Sequence, residues 1–224
     1  RNSPVREPLR EIETAAKRAA DLAKQMLAYS GKGSFVIEPV DFVDLVRETA
    51  LLARASISKK TELELGGDER LPCVQGDRTQ LQQVILNLII NASESAGDEV
   101  NRVTVTTARV DLDREEIRSF AGILTNNLSP GSYVALRVDD EGCGMDRTTQ
   151  AQMFDPFFST KFSGRGLGLA AVQGIVRGHC GAMRVESTPD QGTSITVIFP
   201  HGDVYLERET MASSPPRQLS GGEE

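Results

Sequence analysis

Between residues 6 and 29 the apolar positions fall at Leu9, Ile12, Ala16, Ala19, Ala23 and Met26, in a stretch without glycine. Spacings of three and four residues predict an amphipathic helix, and small residues along the seam suit close packing against another helix. The helix is either part of the main core or half of a helical hairpin. The narrow seam favours the hairpin, and Gly31-Lys32-Gly33-Ser34 then breaks the chain. Phe35 to Pro39 predicts a short strand. Val43, Leu45, Val46, Ala50 and Leu51 predict a helix from about Asp41 to Ala55. Thr61-Glu62-Leu63-Glu64-Leu65 alternates with the period of a half-buried strand, and Cys73-Val74-Gln75 predicts a further short one.

Asp77 has the character of an N-cap. It precedes a strongly apolar helical stretch from about Arg78 to Ala96. Strands are predicted at Val103–Val110, Tyr133–Val138, Met183–Glu186 and Ser194–Phe199, and a helix at Leu169–Val176. Residues 111–131 are polar and predict an exposed excursion between two strands. Residues 141–168 are rich in glycine and poor in helix and strand formers. After Pro200 the sequence turns hydrophilic, with Ser213-Ser214-Pro215-Pro216 and Gly221-Gly222, as a linker or disordered end does. Strands concentrated in the second half, with helices able to pack on one face, predict an α+β fold arranged as a two-layer α/β sandwich. There is no internal repeat and no regular βαβ alternation.

Composition narrows the function. The 224 residues carry a formal net charge of −7, which argues against a general nucleic-acid binder. A bound polyphosphate would have to be neutralised locally, by a metal, a few cations or a helix N-terminus. Cys73, Cys143 and Cys180 form no CxxC pair and fit reduced thiols in a cytoplasmic protein. Two histidines, His179 and His201, make no zinc-type cluster. No apolar run reaches the ~18 residues of a membrane span, and no membrane contact is expected. The chain starts at Arg1 rather than Met, so a piece of a longer protein is expected.

Four clusters carry candidate chemistry. Asn87 and Asn91 lie one helical turn apart and share a face of an otherwise Leu/Ile helix. Buried amides are costly without partners. They serve either a structural polar role or as oxygen donors to a hard cation such as Mg²⁺. Asp139-Asp140-Glu141-Gly142-Cys143-Gly144-Met145 follows a strand. It is either an acidic turn or a loop whose carboxylate accepts from the exocyclic amine of an adenine. Phe154 to Lys161 holds three of the chain's eight phenylalanines. The aromatics fit a local core anchor, and Lys161 could reach a phosphate. Gly164-Arg165-Gly166-Leu167-Gly168-Leu169-Ala170 opens a helix where backbone N–H groups can crowd a phosphate. It is neither a Walker loop nor GxGxxG.

In this order the four clusters resemble the N, G1, F and G2 boxes of the sensor histidine kinase catalytic domain. Gly192-Thr193-Ser194-Ile195 matches its G3 element. The resemblance spans roughly residues 35–200, and Phe157-Phe158-Ser159-Thr160-Lys161 is similar to the nitrogen-regulation subgroup. It implies the Bergerat fold, a mixed sheet with helices on one face and ATP between them under a mobile lid, here about Phe158 to Arg165. It implies Asn91 as the Mg²⁺ ligand and Asn87 as the amide near the phosphates. Asp140 becomes the adenine reader, with Gly142 and Gly144 giving the ligand room and Met145 and Thr193 at the same pocket. Gly164, Gly166, Leu167, Gly168 and Leu169 form the phosphate-side loop. Lys161 and Arg165 are the candidate phosphate contacts, with Asn87 and Lys161 expected to take part in the reaction.

Hydrolysing relatives of this fold carry a glutamate where this chain has Asn87. A neutral amide cannot serve as a general base near neutral pH. The resemblance therefore implies Mg-ATP-dependent phosphoryl transfer to a histidine of a dimerisation hairpin, with the alternatives an ATP-hydrolysing relative or a nucleotide-binding dimer scaffold. The acceptor should be a histidine early in a long helix, followed by Glu or Asp, and neither His179 nor His201 is so placed. Residues 1–32 resemble the second hairpin helix, through which a homodimer could form. Residues 33–203 are the expected ATP-binding domain. Residues 204–224 resemble a linker before a receiver domain in a hybrid kinase. Glu94 departs from the pattern, since many relatives place a lysine there toward the phosphates; Lys161 or Arg165 is expected to compensate.

Overall fold

The computed structural model describes residues 36–97, 99–120, 128–161 and 166–201. The helix predicted at 6–29, the segments 1–32 and 204–224, and Gly164 and Arg165 fall outside them. In chain order the elements are β1 (Glu38–Val40), α1 (Phe42–Arg54), β2 (Thr61–Gly67), β3 (Val74–Gly76), α2 (Arg78–Glu94) and β4 (Asn101–Leu112). Then come α3 (Arg114–Phe120), β5 (Gly131–Asp140), α4 (Arg147–Gln152), α5 (Gly168–Gly178), β6 (Ala182–Ser187) and β7 (Thr193–Pro200).

Aspartates start the helices where the sequence places them. Asp41 accepts from the Asp44 amide, and Asp77 from the amides of Thr79 and Gln80. Each satisfies donors that the first helical turn leaves without a partner. Behind these caps α1 buries Phe42, Leu45, Val46, Ala50 and Ala53, and α2 buries Leu81, Val84, Ile85, Leu88 and Ile89.

Five strands form one mixed sheet in the order β2-β4-β5-β7-β6. Only the β2–β4 pair is parallel; the others are antiparallel. β1 and β3 make a separate antiparallel pair. Period-2 alternation sorts the strand side chains to two faces. Val103, Val105, Val134, Leu136, Val138, Val197 and Phe199 join the α1, α2 and α5 residues in the main core. Leu112, Tyr133, Ala135, Ala182 and Ile198 face the other way, where Phe120 of α3 covers them. The expected single helical face thus holds for α1, α2 and α5, while α3 adds a small apolar patch on the opposite side.

α2 and α5 run antiparallel and are joined at two points. Asn87 Nδ2 donates to Gly168 O at 3.3 Å, where α5 begins. At its other end, buried His179 accepts from the Asp77 backbone N–H through Nε2 at 3.0 Å, while Nδ1 lies 2.8 Å from Ile175 O. This pairing requires the neutral Nδ1–H tautomer. Burial holds the His179 pKa below its ordinary 6.5, against the opposing pull of the Ile175 carbonyl and the Asp77 charge. A histidine that resists protonation when folded binds its proton more readily when unfolded. Its contribution is therefore complete above pH 6.5 and is lost as pH falls from there toward the folded value. Urea midpoints measured downward from pH 7 should begin to decline as pH falls below 6.5 in the wild type. His179→Gln should lose that part of the slope.

Candidate functional site between two helices and the end of two strands

Asn87, Asn91 and Ser95 recur every fourth residue along α2 and its C-cap, a polar line that leads from the start of α5 to the end of β5. Ser95 completes a hydrogen-bonded knot at the C-terminal end of β5. Its hydroxyl lies 2.7 Å from Asp140 Oδ1, and the Gly142 amide donates to the same oxygen at 2.9 Å. The Thr193 backbone, opposite Asp140 in the β5–β7 register, adds a third bond. A carboxylate has about four acceptor positions, so one remains for a ligand amine. Burial raises the Asp140 pKa above its ordinary 3.8, and the bonds from Ser95, Gly142 and Thr193, with the charge of Lys161, oppose the rise.

Asn101 braces the knot. Its Nδ2 donates to Ala92 O at 2.6 Å, and its Oδ1 accepts from the Glu141 amide at 3.2 Å. The glycines here are required by the protein itself, beyond any room they leave a ligand. A Cβ at Gly142 would lie 2.0 Å from Ser95 Oγ, and one at Gly192, where φ is +83°, would lie 1.9 Å from Asp140 O. Thr193 Oγ1 meets Ser187 Oγ at 2.9 Å, and Ser187 accepts from the Met145 amide at 2.8 Å. Asp140, Gly142, Gly144, Met145 and Thr193 therefore stand together. Ser95, Asn101 and Ser187 are additions; the four-residue spacing of Asn87, Asn91 and Ser95 was the signal for the first.

At the phosphate end, α5 begins with Leu167 as a buried N-cap that offers no side-chain hydrogen bond. Its first N–H groups are thus available to an anion. Gly168 lies against both amides: a Cβ there would be 3.6 Å from Asn91 Nδ2 and 3.9 Å from Asn87 Cγ. The Asn91 amide nitrogen is buried without a hydrogen-bond partner. Leu169 packs on the core. Gly166 accepts from the Phe157 amide at 2.9 Å, which ties the phenylalanine segment to the entry of α5. Lys161 reaches α2, with Nζ 3.0 Å from Glu94 Oε2 and 3.3 Å from Asn91 O.

Among the described residues no three His, Cys, Asp or Glu side chains gather as a metal site. A Mg²⁺ ion here would take Asn91 as a protein ligand and the rest from phosphates and water, as Mg²⁺ commonly does. The unpartnered Asn91 amide fits that role, since it can present its oxygen. Two concavities lie elsewhere: one of about 120 Å³ between α1 and β2, and one of about 360 Å³ beside α3 on the far face of the sheet. Neither holds a residue of the boxes.

A carboxylate at a strand end, two amides on a facing helix and a glycine-led helix N-terminus thus lie together in a two-layer α/β sandwich. The family model described as histidine kinase-, DNA gyrase B- and HSP90-like ATPase matches residues 76–203. The chain belongs to that family. It is 34% identical over 193 residues to the signal transduction histidine-protein kinase AtoS of Escherichia coli K12, covering 86% of this chain and 28% of AtoS. It is 32% identical over 200 residues to the sensory histidine kinase/phosphatase NtrB of Rhizobium leguminosarum, covering 88% of this chain and 50% of NtrB. The chain thus spans half or less of the length of these relatives. Full-length ShkA, solved in complex with AMPPNP, superposes with a TM-score of 0.67 at 24% identity, over 89% of this chain and 39% of ShkA. The resemblance to the nitrogen-regulation subgroup is consistent with the NtrB match. No helix among the described residues is long and apolar enough to cross a membrane.

Proposed function

We propose that this domain binds Mg-ATP and donates the γ-phosphoryl group to a histidine on a helical hairpin, as the kinase half of a two-component system in the cytoplasm. The observation that carries the reading is the polar line Asn87–Asn91–Ser95, which connects an adenine-reading carboxylate to a phosphate-accepting helix N-terminus and holds an amide where a hydrolase needs a base. Asp140 accepts from the adenine amine, with Ser95 and Gly142 fixing its orientation. Gly142, Gly144, Met145 and Thr193 line that end. Gly166, Leu167, Gly168 and Leu169 direct backbone N–H groups at the phosphates, with Gly164 and Arg165 assigned the same role from sequence. Asn87, Asn91 and Lys161 orient and neutralise the γ-phosphate end. Bound Mg²⁺ supplies further neutralisation of phosphate charge.

The chain's own histidines do not fit the acceptor role. His179 is buried with both ring nitrogens engaged, and His201 sits in a β-bridge with Val74. The acceptor implied by the resemblance to sensor histidine kinases is a hairpin, with a receiver domain as the next recipient. In the deciding experiment the chain is mixed with radiolabelled Mg-ATP and a separate hairpin bearing an acceptor histidine from a nitrogen-regulation-type kinase. The expected result is acid-labile label on the hairpin and none on the chain. Steady phosphate release without the hairpin, lost on changing Asn91, would make the domain a hydrolase instead.

A further inference from the structure

Glu94 is an awkward residue for a phosphate site. It lies on the last turn of α2, three positions after Asn91, and a carboxylate there repels a triphosphate. No basic residue occupies that last turn. The cation comes instead from the opposite wall: the Lys161 ammonium sits between Glu94 Oε2 and Asn91 O, at 3.0 and 3.3 Å. An ammonium has three donors. Two are committed to α2, and the third is left for an anion beside the Asn91 amide. The side chains are 32% and 51% exposed for Lys161 and Glu94, so the pair adds little to stability. Its main effect is placement. A free lysine on a loop samples many rotamers, whereas this one is held against the helix. Its charge also reaches Asp140, where it opposes the rise in pKa.

We propose that Glu94 is a positioning residue for the phosphate end of the nucleotide: its carboxylate holds Lys161 beside Asn91, so that the triphosphate meets a cation already in place. This rests on the nucleotide reading given above. It predicts a reversal of sign. With Lys161 present, Glu94 helps binding; without it, Glu94 only repels.

The test is calorimetric titration of the full chain with Mg-AMPPNP and, separately, adenosine. The proteins are the wild type, Glu94→Ala, Glu94→Gln, Lys161→Ala, the Glu94→Ala/Lys161→Ala double variant and Asp140→Asn. Lys161→Ala should weaken Mg-AMPPNP about tenfold, the scale of one charge-assisted contact, and Glu94→Ala about threefold to fivefold. Glu94→Gln, which keeps a neutral acceptor, should fall between Glu94→Ala and the wild type. In the Lys161→Ala background, Glu94→Ala should instead tighten Mg-AMPPNP about twofold. Adenosine affinity should change far less than Mg-AMPPNP affinity in the Glu94 and Lys161 variants. Tighter or unchanged binding of Mg-AMPPNP by Glu94→Ala alone, or an equal change in both backgrounds, would overturn the proposal. Adenosine binding that ignores Asp140→Asn would overturn the site assignment itself, a separate result.

Discussion

Asp140→Asn is expected to weaken Mg-ATP binding on the order of a hundredfold, or about 2.7 kcal/mol, and to change the stability of the fold far less. The asparagine oxygen can still accept from Ser95 and Gly142, which both bond one carboxylate oxygen. The other position becomes an NH₂, a donor set against the adenine amine and the Thr193 N–H. A site built around a hydrogen bond rejects the mismatched partner strongly because a buried polar group is left unpaired. Stability responds to opposing effects. The folded Asp140 pKa is raised, chiefly by burial, so the folded state prefers the proton. The favourable part is present below the ordinary 3.8 and is lost as pH rises through the folded value. A neutral amide removes the cost of burying an ionised carboxylate, and the lost bond from Thr193 offsets part of that gain. By the same sign, nucleotide affinity of the wild type should fall as acidification protonates Asp140. Calorimetry and thermal melts on one preparation check both halves. A large loss of melting temperature together with lost binding would mean that Asp140 mainly holds the loop.

Asn91→Ala should separate binding from reaction. Removing its amide takes away the proposed metal ligand and part of the γ-phosphate orientation. Transfer to a supplied hairpin should fall by about 10²–10³, the scale of losing one preorganised electrostatic contact. Adenosine affinity should be unchanged, because Asp140 and its partners are untouched. The wild-type amide nitrogen is buried without a partner, a penalty of about 1–3 kcal/mol that alanine relieves. The small cavity left behind offsets part of that gain. Stability equal to or above the wild type, with transfer nearly abolished, is the expected combination, measured by urea denaturation and single-turnover labelling. Transfer at the wild-type rate would remove Asn91 from the mechanism.

Both variants show why this site can be read from sequence. Polar groups that cost stability stand out against their surroundings, as Asn87 and Asn91 do on a Leu/Ile helix. The cap Asp77 was legible for a related reason, since it precedes an apolar periodic run. What periodicity missed was short or non-local. α3 and α4 are seven and six residues long, too brief for a pattern, although Asp113 and Asp146 accept from their first-turn amides. The parallel β2–β4 register leaves no local trace in either strand. The Glu94–Lys161 pair joins residues 67 apart, and only the fold brings them together.

Sheet order has a consequence in time. β7, the last strand among the described residues, lies inside the sheet between β5 and β6, and its Thr193 helps to satisfy Asp140. A chain leaving the ribosome has made the N box, the G1 loop and the helix of the G2 box before that strand exists. Until residues 193–200 emerge, β5 and β6 have no shared neighbour, and the carboxylate lacks one of its donors. The nucleotide site can thus first form only once residues 193–200 have been made, so a nascent domain acquires its ligand late and all at once.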